Sequence, residues 1–367
     1  MSYLEIKNLH KKYTKNGPMI VNNMNLSINK GEFIVFLGPS GCGKTTTIRM
    51  IAGLEEVTDG DILIDGESII GKKPRDRGVS MIFQSYAVWS HMTVYDNIAY
   101  PLKLRKYPKE EIKKRVLAAA KATEIDNFLD RYPSQMSGGQ RQRVAVSRAM
   151  VVEPKIFLMD EPLSNLDAKL RVSMRTELKK IHTAQGTTSI FVTHDQAEAM
   201  SMADRIVVMY KGKIEQIGTP MEVYQDSATR FVAEFIGTPP TNFFEVTIRR
   251  MNGKLIAENE AFTYEIPDDL QEALKSYENK EIDMGVRPEY MEVSPGLEKK
   301  KGYLTDINID FAEPQGSHSI LITNIGKAPV KIHTVDYMDI RPGTRVSVSV
   351  MNDRVMFFDR DTSLRIK

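Results

Sequence analysis

Eight residues, Gly38-Pro39-Ser40-Gly41-Cys42-Gly43-Lys44-Thr45, restrict what this chain can fold into more than any other stretch. They follow the apolar run Phe33-Ile34-Val35-Phe36-Leu37 and lead into Thr46-Thr47-Ile48-Arg49-Met50-Ile51-Ala52. The pattern predicts a buried strand, a glycine loop and a helix, which is the setting of a phosphate-binding P-loop. Glycines let the backbone wrap a phosphate chain without Cβ interference, so that N–H groups and the positive helix end face the anion. Lys44 adds a cation for the β- and γ-phosphates, and the Thr45 hydroxyl is placed to ligate Mg²⁺. From average glycine usage, a chance match arises in roughly one chain in a hundred, before the flanking strand and helix are counted.

The 367 residues suggest two domains, each with ample core. Basic and acidic residues nearly balance, 50 against 48, which argues against a nucleic-acid protein held by a basic face. The run Lys299-Lys300-Lys301 reads as a solvated turn. The one cysteine, Cys42, lies in the glycine loop and fits a reducing, cytoplasmic setting. Bound nucleotide is expected to shield it from alkylation. The opening Met1-Ser2-Tyr3-Leu4-Glu5-Ile6 alternates like a strand rather than an export signal. Apolar runs such as Ile156-Phe157-Leu158-Met159 are far too short to span a bilayer, so the chain is expected to be soluble and to need a partner for any membrane role.

Residues 3 to 36 alternate as antiparallel strands, with turns at Asn16-Gly17-Pro18 and Lys30-Gly31. Tyr13, closing the first strand, can stack on a nucleobase or simply pack on the surface. Val79-Ser80-Met81-Ile82-Phe83 is a strand ending at Gln84, where a doubly wound sheet places ligand-facing groups; a loop glutamine is the plainer alternative. The stretch Tyr86-Ala87-Val88-Trp89-Ser90-His91-Met92 is rich in aromatic residues and Met, and reads either as a satellite core or as a docking patch. Met136-Ser137-Gly138-Gly139-Gln140 opens a second helix whose N-terminus can face an anion. Lys155-Ile156-Phe157-Leu158-Met159-Asp160-Glu161 is a buried strand ending in two acids, suited to Mg²⁺ at Asp160 and a polarised water at Glu161. Ser164-Asn165-Leu166-Asp167 caps a helix with apolar residues at Leu166, Leu170, Met174, Leu178 and Ile181. A last strand, Thr188-Ser189-Ile190-Phe191-Val192-Thr193, ends at His194, which can reach a γ-phosphate, although a lone histidine is more often structural.

Together these residues resemble the nucleotide-binding subunit of an ATP-binding cassette (ABC) transporter. Met136-Ser137-Gly138-Gly139-Gln140 is similar to the family signature, with Met136 in place of the usual leucine, a volume-conserving change. The resemblance implies an ATPase with ATP and Mg²⁺ as ligands. It makes Gly38, Pro39, Ser40, Gly41, Cys42, Gly43, Lys44, Thr45 and Thr46 the phosphate loop and Tyr13 the adenine-stacking aromatic. Thr45, Gln84 and Asp160 would serve the metal, Glu161 would be the catalytic base, His194 the switch histidine and Asp167 the intersubunit aspartate. Ser137, Gly138, Gly139 and Gln140 would cover ATP held by a second copy or a paralogue.

The later segments Phe244-Glu245-Val246-Thr247-Ile248 and Val346-Ser347-Val348-Ser349-Val350 alternate between Gly, Pro and Asn turns and predict a small β-barrel. Ile236-Gly237-Thr238-Pro239-Pro240 and Gly285-Val286-Arg287-Pro288-Glu289 resemble carbohydrate-importer ATPases of the maltose type, in which such a barrel is regulatory and dimer-contacting. Val88-Trp89-Ser90 departs from that branch, and Trp there is also found in polyamine and ferric-iron importers. The expectation is therefore an α/β P-loop cassette over residues 1–236, with an antiparallel β subdomain and a helical subdomain at about 86–150, followed by an OB-like barrel over 237–367. The resemblance implies a peripheral ATPase at the cytoplasmic membrane face, with two permease subunits docked near Tyr86 to Met92 and an external solute-binding protein served indirectly. A polyamine or iron importer, and a soluble ABC ATPase whose barrel binds protein or nucleic acid, are the alternatives.

Overall fold

The computed structural model describes residues 2–334 and 340–367, and divides the chain into two compact units, Met1–Pro220 and Met221–Lys367. The first unit begins with β1 (Ser2–Lys11), β2 (Val21–Asn29) and β3 (Phe33–Leu37), followed by α1 (Lys44–Ala52), β4 (Asp59–Ile64), β5 (Glu67–Ser68) and β6 (Val79–Ile82). Helices α2 (Val94–Leu104), α3 (Lys109–Ala122) and α4 (Gly138–Met150) come next. The unit closes with β7 (Ile156–Asp160), α5 (Ala168–Gln185), β8 (Thr188–Thr193), α6 (Gln196–Met202), β9 (Arg205–Tyr210) and β10 (Lys213–Gly218).

Two sheets result. One, in the order β2-β1-β4-β5, is antiparallel throughout. The other, β10-β9-β3-β8-β7-β6, is parallel apart from β10. Antiparallel pairing at the start of the chain therefore ends at Asn29. All five residues of β3 are buried, as a strand covered on both faces requires, and it pairs in parallel with β8 and β9. The ends of β3, β6, β7 and β8 then lie along one edge of the sheet, which is where Gly38, Gln84, Asp160 and His194 follow in sequence.

Helices α2 to α4 have their own core, in which Val94, Ile98, Leu102, Ile112, Val116 and Val144 recur at helical spacing and are buried together. Each such side chain contributes roughly 1.5–3 kcal/mol by leaving water.

The second unit holds most of α7 (Pro220–Gln225), then α8 (Arg230–Phe235), β11 (Asn242–Met251), β12 (Lys254–Glu258), β13 (Thr263–Glu265) and α9 (Gln271–Leu274). Strands β14 (Glu281–Val286), β15 (Met291–Ser294), β16 (Tyr303–Asn308), β17 (Phe311–Pro314), β18 (Ser319–Ile325), β19 (Ala328–Thr334), β20 (Arg345–Val350), β21 (Met356–Asp359) and β22 (Arg365–Ile366) complete it. Among the described residues they form three antiparallel sheets, around a main core that includes Phe244, Ile282, Val286, Leu321, Val348 and Phe357.

Alternation places the domain boundary at 236/237, whereas the compact units divide at 220/221. Helices α7 and α8 are tied to the later strands at several points: Thr229 pairs with Leu364, Ala233 packs with Met356 and Phe358, and Arg287 is only 1% exposed. Its guanidinium donates to the carbonyl oxygens of Tyr224 and Ile236 and to Ser227 Oγ, and its centre lies 3.8 Å from the Tyr224 ring centroid. Helices α7 and α8 thus belong to the unit built of strands.

Candidate active site

The loop after β3 turns tightly enough to need glycine at two places. Gly41 and Gly43 have φ of 79° and 103°, and a Cβ on Gly43 would lie 2.8 Å from the Ile20 carbonyl oxygen. Gly43 is also the N-cap of α1 and supplies no side-chain acceptor to its first turn, which contains no acid. Those backbone donors are suited to an outside anion. Lys44 is buried, its ammonium donating to the carbonyl oxygens of Gly38 at 2.6 Å and Pro39 at 2.9 Å. Cys42 points away from solvent and joins the sheet core, and burial raises its thiol pKa even beside Lys44.

Thr45 lies opposite the end of β7. Its hydroxyl donates to Asp160 Oδ1 at 2.8 Å, while burial pushes the Asp160 carboxyl pKa up. A hydroxyl and a carboxylate in contact form a hard-oxygen pair that fits Mg²⁺, a cation that keeps several waters and needs few protein ligands. Glu161 follows in a left-handed conformation, φ 44°, held as its N–H donates to the Val192 carbonyl at 3.0 Å. Its carboxylate is met from two sides. Gln84 Nε2 donates to Oε2 at 3.5 Å and to Ser164 Oγ at 3.4 Å, and His194 Nδ1 lies 3.3 Å from the same Oε2. The ends of β6, β7 and β8 therefore bring Gln84, Glu161 and His194 into one cluster, next in sequence and space to Asp160 and Thr45.

Tyr13 is 56% exposed, and its hydroxyl lies 3.2 Å from Thr46 Oγ1, which fixes the ring beside the start of α1. It lines an open hollow of about 550 Å³ with His10, Lys12, Lys15 and Met19. Sequence reading missed Lys11. This buried cation pairs with Glu55 at 2.7 Å, donates to the Glu56 carbonyl at 2.7 Å and lies 4.9 Å from the Tyr13 ring centroid. Its position two residues before Tyr13 was the available signal, although β1 ends at Lys11 and Tyr13 lies in the bend beyond it rather than closing the strand.

Ser137 is the N-cap of α4. It accepts from the Gln140 N–H at 3.3 Å, and Gln140 Oε1 accepts in return from the Ser137 N–H at 2.9 Å. Gly139 packs so closely on α5 that a Cβ there would sit 2.9 Å from a Leu170 methyl. Asp167 caps α5 by accepting from the Leu170 N–H at 2.9 Å. Among the described residues, no hydrogen bond or ion pair joins Ser137, Gly138, Gly139, Gln140 or Asp167 to the P-loop.

The aromatic stretch after Gln84 is organised from below by two polar residues. Asn97 Nδ2 donates to the carbonyls of Trp89, Met92 and Thr93. Arg148 donates to those of Tyr86 at 2.8 Å and Ala87 at 2.7 Å, stacks on Trp89 at 4.6 Å, and is desolvated enough to lower its pKa to about 10. Trp89 also packs on Tyr100, with ring centroids 4.6 Å apart, so it helps hold the loop together.

A family model described as "ABC transporter" matches residues 21–164, and one described as "MalK OB fold domain" matches residues 237–291. The multiple sugar-binding transport ATP-binding protein MsmK of Streptococcus mutans is 45% identical over 383 positions, covering 100% of both chains. The oligosaccharides import ATP-binding protein MsmX of Bacillus subtilis is 46% identical, again over 100% of each. The sn-glycerol-3-phosphate import ATP-binding protein UgpC of Bordetella avium is 49% identical over 89% of this chain and 87% of its own. Among solved structures, a post-hydrolysis dimer of the ATP-binding cassette MJ0796 bound to ADP and Pi aligns with a TM-score of 0.53 and 33% identity, covering 59% of this chain and 98% of that one.

Proposed function

This chain belongs to the family of ABC transporter ATP-binding proteins that carry a MalK-type OB fold domain, and from that premise we propose that it powers the import of a sugar, oligosaccharide or related solute. The observation that carries the catalytic reading is the convergence of Gln84 and His194 on Glu161, beside the hydrogen-bonded pair Thr45 and Asp160.

In this reading the P-loop amides and Lys44 bind the phosphates of ATP, and Tyr13 stacks on its base. Thr45, Asp160 and the Gln84 amide oxygen would hold magnesium, which when bound would offset charge on the phosphate oxygens. Glu161 accepts a proton from the attacking water, and its left-handed backbone aims the carboxylate across the end of the sheet. His194 and Gln84 hold that carboxylate in place and are positioned to sense the γ-phosphate.

Ser137 to Gln140 and Asp167 find no partner in their own P-loop, which suits a two-fold dimer in which each copy covers the ATP of the other. The loop braced by Asn97 and Arg148 then serves as the docking patch for two permease subunits, which places the ATPase at the cytoplasmic membrane face. Among the described residues no helix is long and apolar enough to cross a membrane. Trp89 is engaged by Arg148 and Tyr100, so its presence does not favour polyamine or iron as cargo.

The test is gel filtration of Glu161→Gln with and without ATP, alongside its turnover. A shift to dimer with ATP and hydrolysis slower by about a hundredfold or more are expected. Turnover near that of the wild type would remove Glu161 from the base role.

A further inference from the structure

One surface of the first unit lies outside everything assigned so far. Helices α5 and α6 flank a hollow of about 600 Å³ whose walls include Val172, Arg175, Thr176, Lys180, Ala184 and Met202. Val172 is 55% exposed, an unusual setting for a branched apolar side chain on a helix. Three cations, Arg175, Lys179 and Lys180, border the hollow and no carboxylate lines it. Lys179 is neutralised by Asp204 at 2.8 Å, but among the described residues neither Arg175 nor Lys180 has a carboxylate within ion-pair distance.

We propose that this groove docks an acidic amphipathic helix of a partner protein. The strip along α5 runs from Val172 to Ala184, about 18 Å at the helical rise, or roughly three turns of a helix laid alongside, and its apolar surface comes from Val172, Ala184 and the carbon stems of Arg175, Lys179 and Lys180, with Thr176 and Thr183 between them. An amphipathic helix of that length offers apolar residues at i, i+3 and i+7 to the strip, and acids on its flank to Arg175 and Lys180. Arg175 and Lys180, neither of them in an ion pair among the described residues, select the sign of the partner's charge. A lipid surface would meet protruding cations on a flat face; here the cations border a concavity with small side chains in its walls, which suits a rod.

The groove also connects to the catalytic cluster. Helix α5 is capped by Asp167, and α6 starts after His194 at its cap Asp195. Arg171 lies 3.5 Å from Asp195, and Lys179 donates to the Met202 carbonyl at 2.8 Å, so the two helices are already tied. An occupant spanning both would hold the segments carrying Asp167 and His194 in one arrangement. That coupling rests on the roles proposed for those two residues; the docking itself does not.

The experiment places the photoreactive residue p-benzoylphenylalanine at Thr176 of the full-length protein, irradiates growing cells and sequences the adduct by mass spectrometry. The expected product joins Thr176 to a protein segment of net negative charge with apolar residues at helical spacing. Its yield falls roughly tenfold or more when Arg175 and Lys180 are both changed to Glu. It survives the charge-conserving pair Arg175→Lys and Lys180→Arg, which separates charge from any loss of fold. An adduct to lipid, to a second copy of this chain or to a basic segment, one indifferent to the charge reversal, or no adduct at all, overturns the proposal.

Discussion

Helix α1 is capped by Gly43 and helix α4 by Ser137, each beside glycines and each with its first turn open to a potential anion. At α1 the cap is a left-handed glycine with no side-chain acceptor, and no acid lies in the first turn. At α4 the Ser137 and Gln140 side chains satisfy the same kind of donors from within the chain. Helix α3, which also lacks a side-chain cap, differs again in having Glu110 and Glu111 in its first turn. Only α1 among these three is both uncapped and free of acid, so its donors are left for a phosphate group. The α4 terminus is stable alone and reaches an outside anion by giving up a capping interaction worth about 1 kcal/mol. In the proposed dimer, one half of the nucleotide site would thus be permanent and the other conditional, which suits an assembly that closes and then separates.

The sharpest way to break this contrast is at the permanent half. Lys44→Ala is expected to lower turnover by about a hundredfold or more and to weaken nucleotide binding, read by phosphate release and by equilibrium binding. Full binding would mean that Lys44, already bonded to Gly38 and Pro39, serves only the loop's own shape. At the conditional half, Ser137→Ala should cost about 1 kcal/mol in stability as the cap is lost. In a Glu161→Gln background it should also abolish the ATP-dependent dimer while leaving monomer affinity for ATP intact. Equal loss of both would erase the distinction between the two termini.

A smaller effect is expected from Lys11→Met, which removes the cation against the Tyr13 ring. KM for ATP should rise roughly two- to fivefold with little change in kcat, and Lys11→Arg should restore it. If Tyr13→Ala raises KM and Lys11→Met does not, Lys11 matters only through Glu55.

The smallest effect concerns Asp160. Burial raises its pKa, so the folded chain holds this proton to higher pH than the unfolded chain does. The associated stability is complete below the ordinary carboxylate range and is lost as pH rises through the raised value. Asp160→Asn avoids that loss. The nucleotide-free variant should therefore gain about 1 kcal/mol at neutral pH, although its metal-dependent turnover fails. Denaturant melts at about pH 4 and about pH 8 should show the gap only at the higher value.

Much of the candidate site was legible as residues brought to one place, because sheet topology turns neighbours in sequence pattern into neighbours in space. The fully buried strands β3, β7 and β8 end on one edge together with the half-buried β6, so Gly38, Gln84, Asp160 and His194 come to that edge once the strand order is set. What stayed hidden depended on direction rather than position. Cys42 lies in the glycine loop, but its thiol turns inward to the sheet core, so it should react slowly even without nucleotide. Gln84 and His194 share one oxygen of Glu161, a convergence that no spacing reveals. The division into compact units at 220/221 differs from the expected 236/237 because short helices carry no mark of which core they join, and here α7 and α8 pack on the later strands through Arg287, the Thr229–Leu364 bridge and Ala233 against Met356 and Phe358.

That arginine sets where modules of this kind can be recombined. Exchanging C-terminal modules between relatives at 220/221 transplants Arg287 together with Tyr224, Ser227 and Ile236, whose carbonyl and hydroxyl oxygens accept its hydrogen bonds. A junction at 236/237 pairs a guanidinium that is 1% exposed with foreign helices. Such chimaeras inherit a buried charge whose acceptors were chosen for another protein, and they should accumulate as insoluble protein where the earlier junction gives folded hybrids.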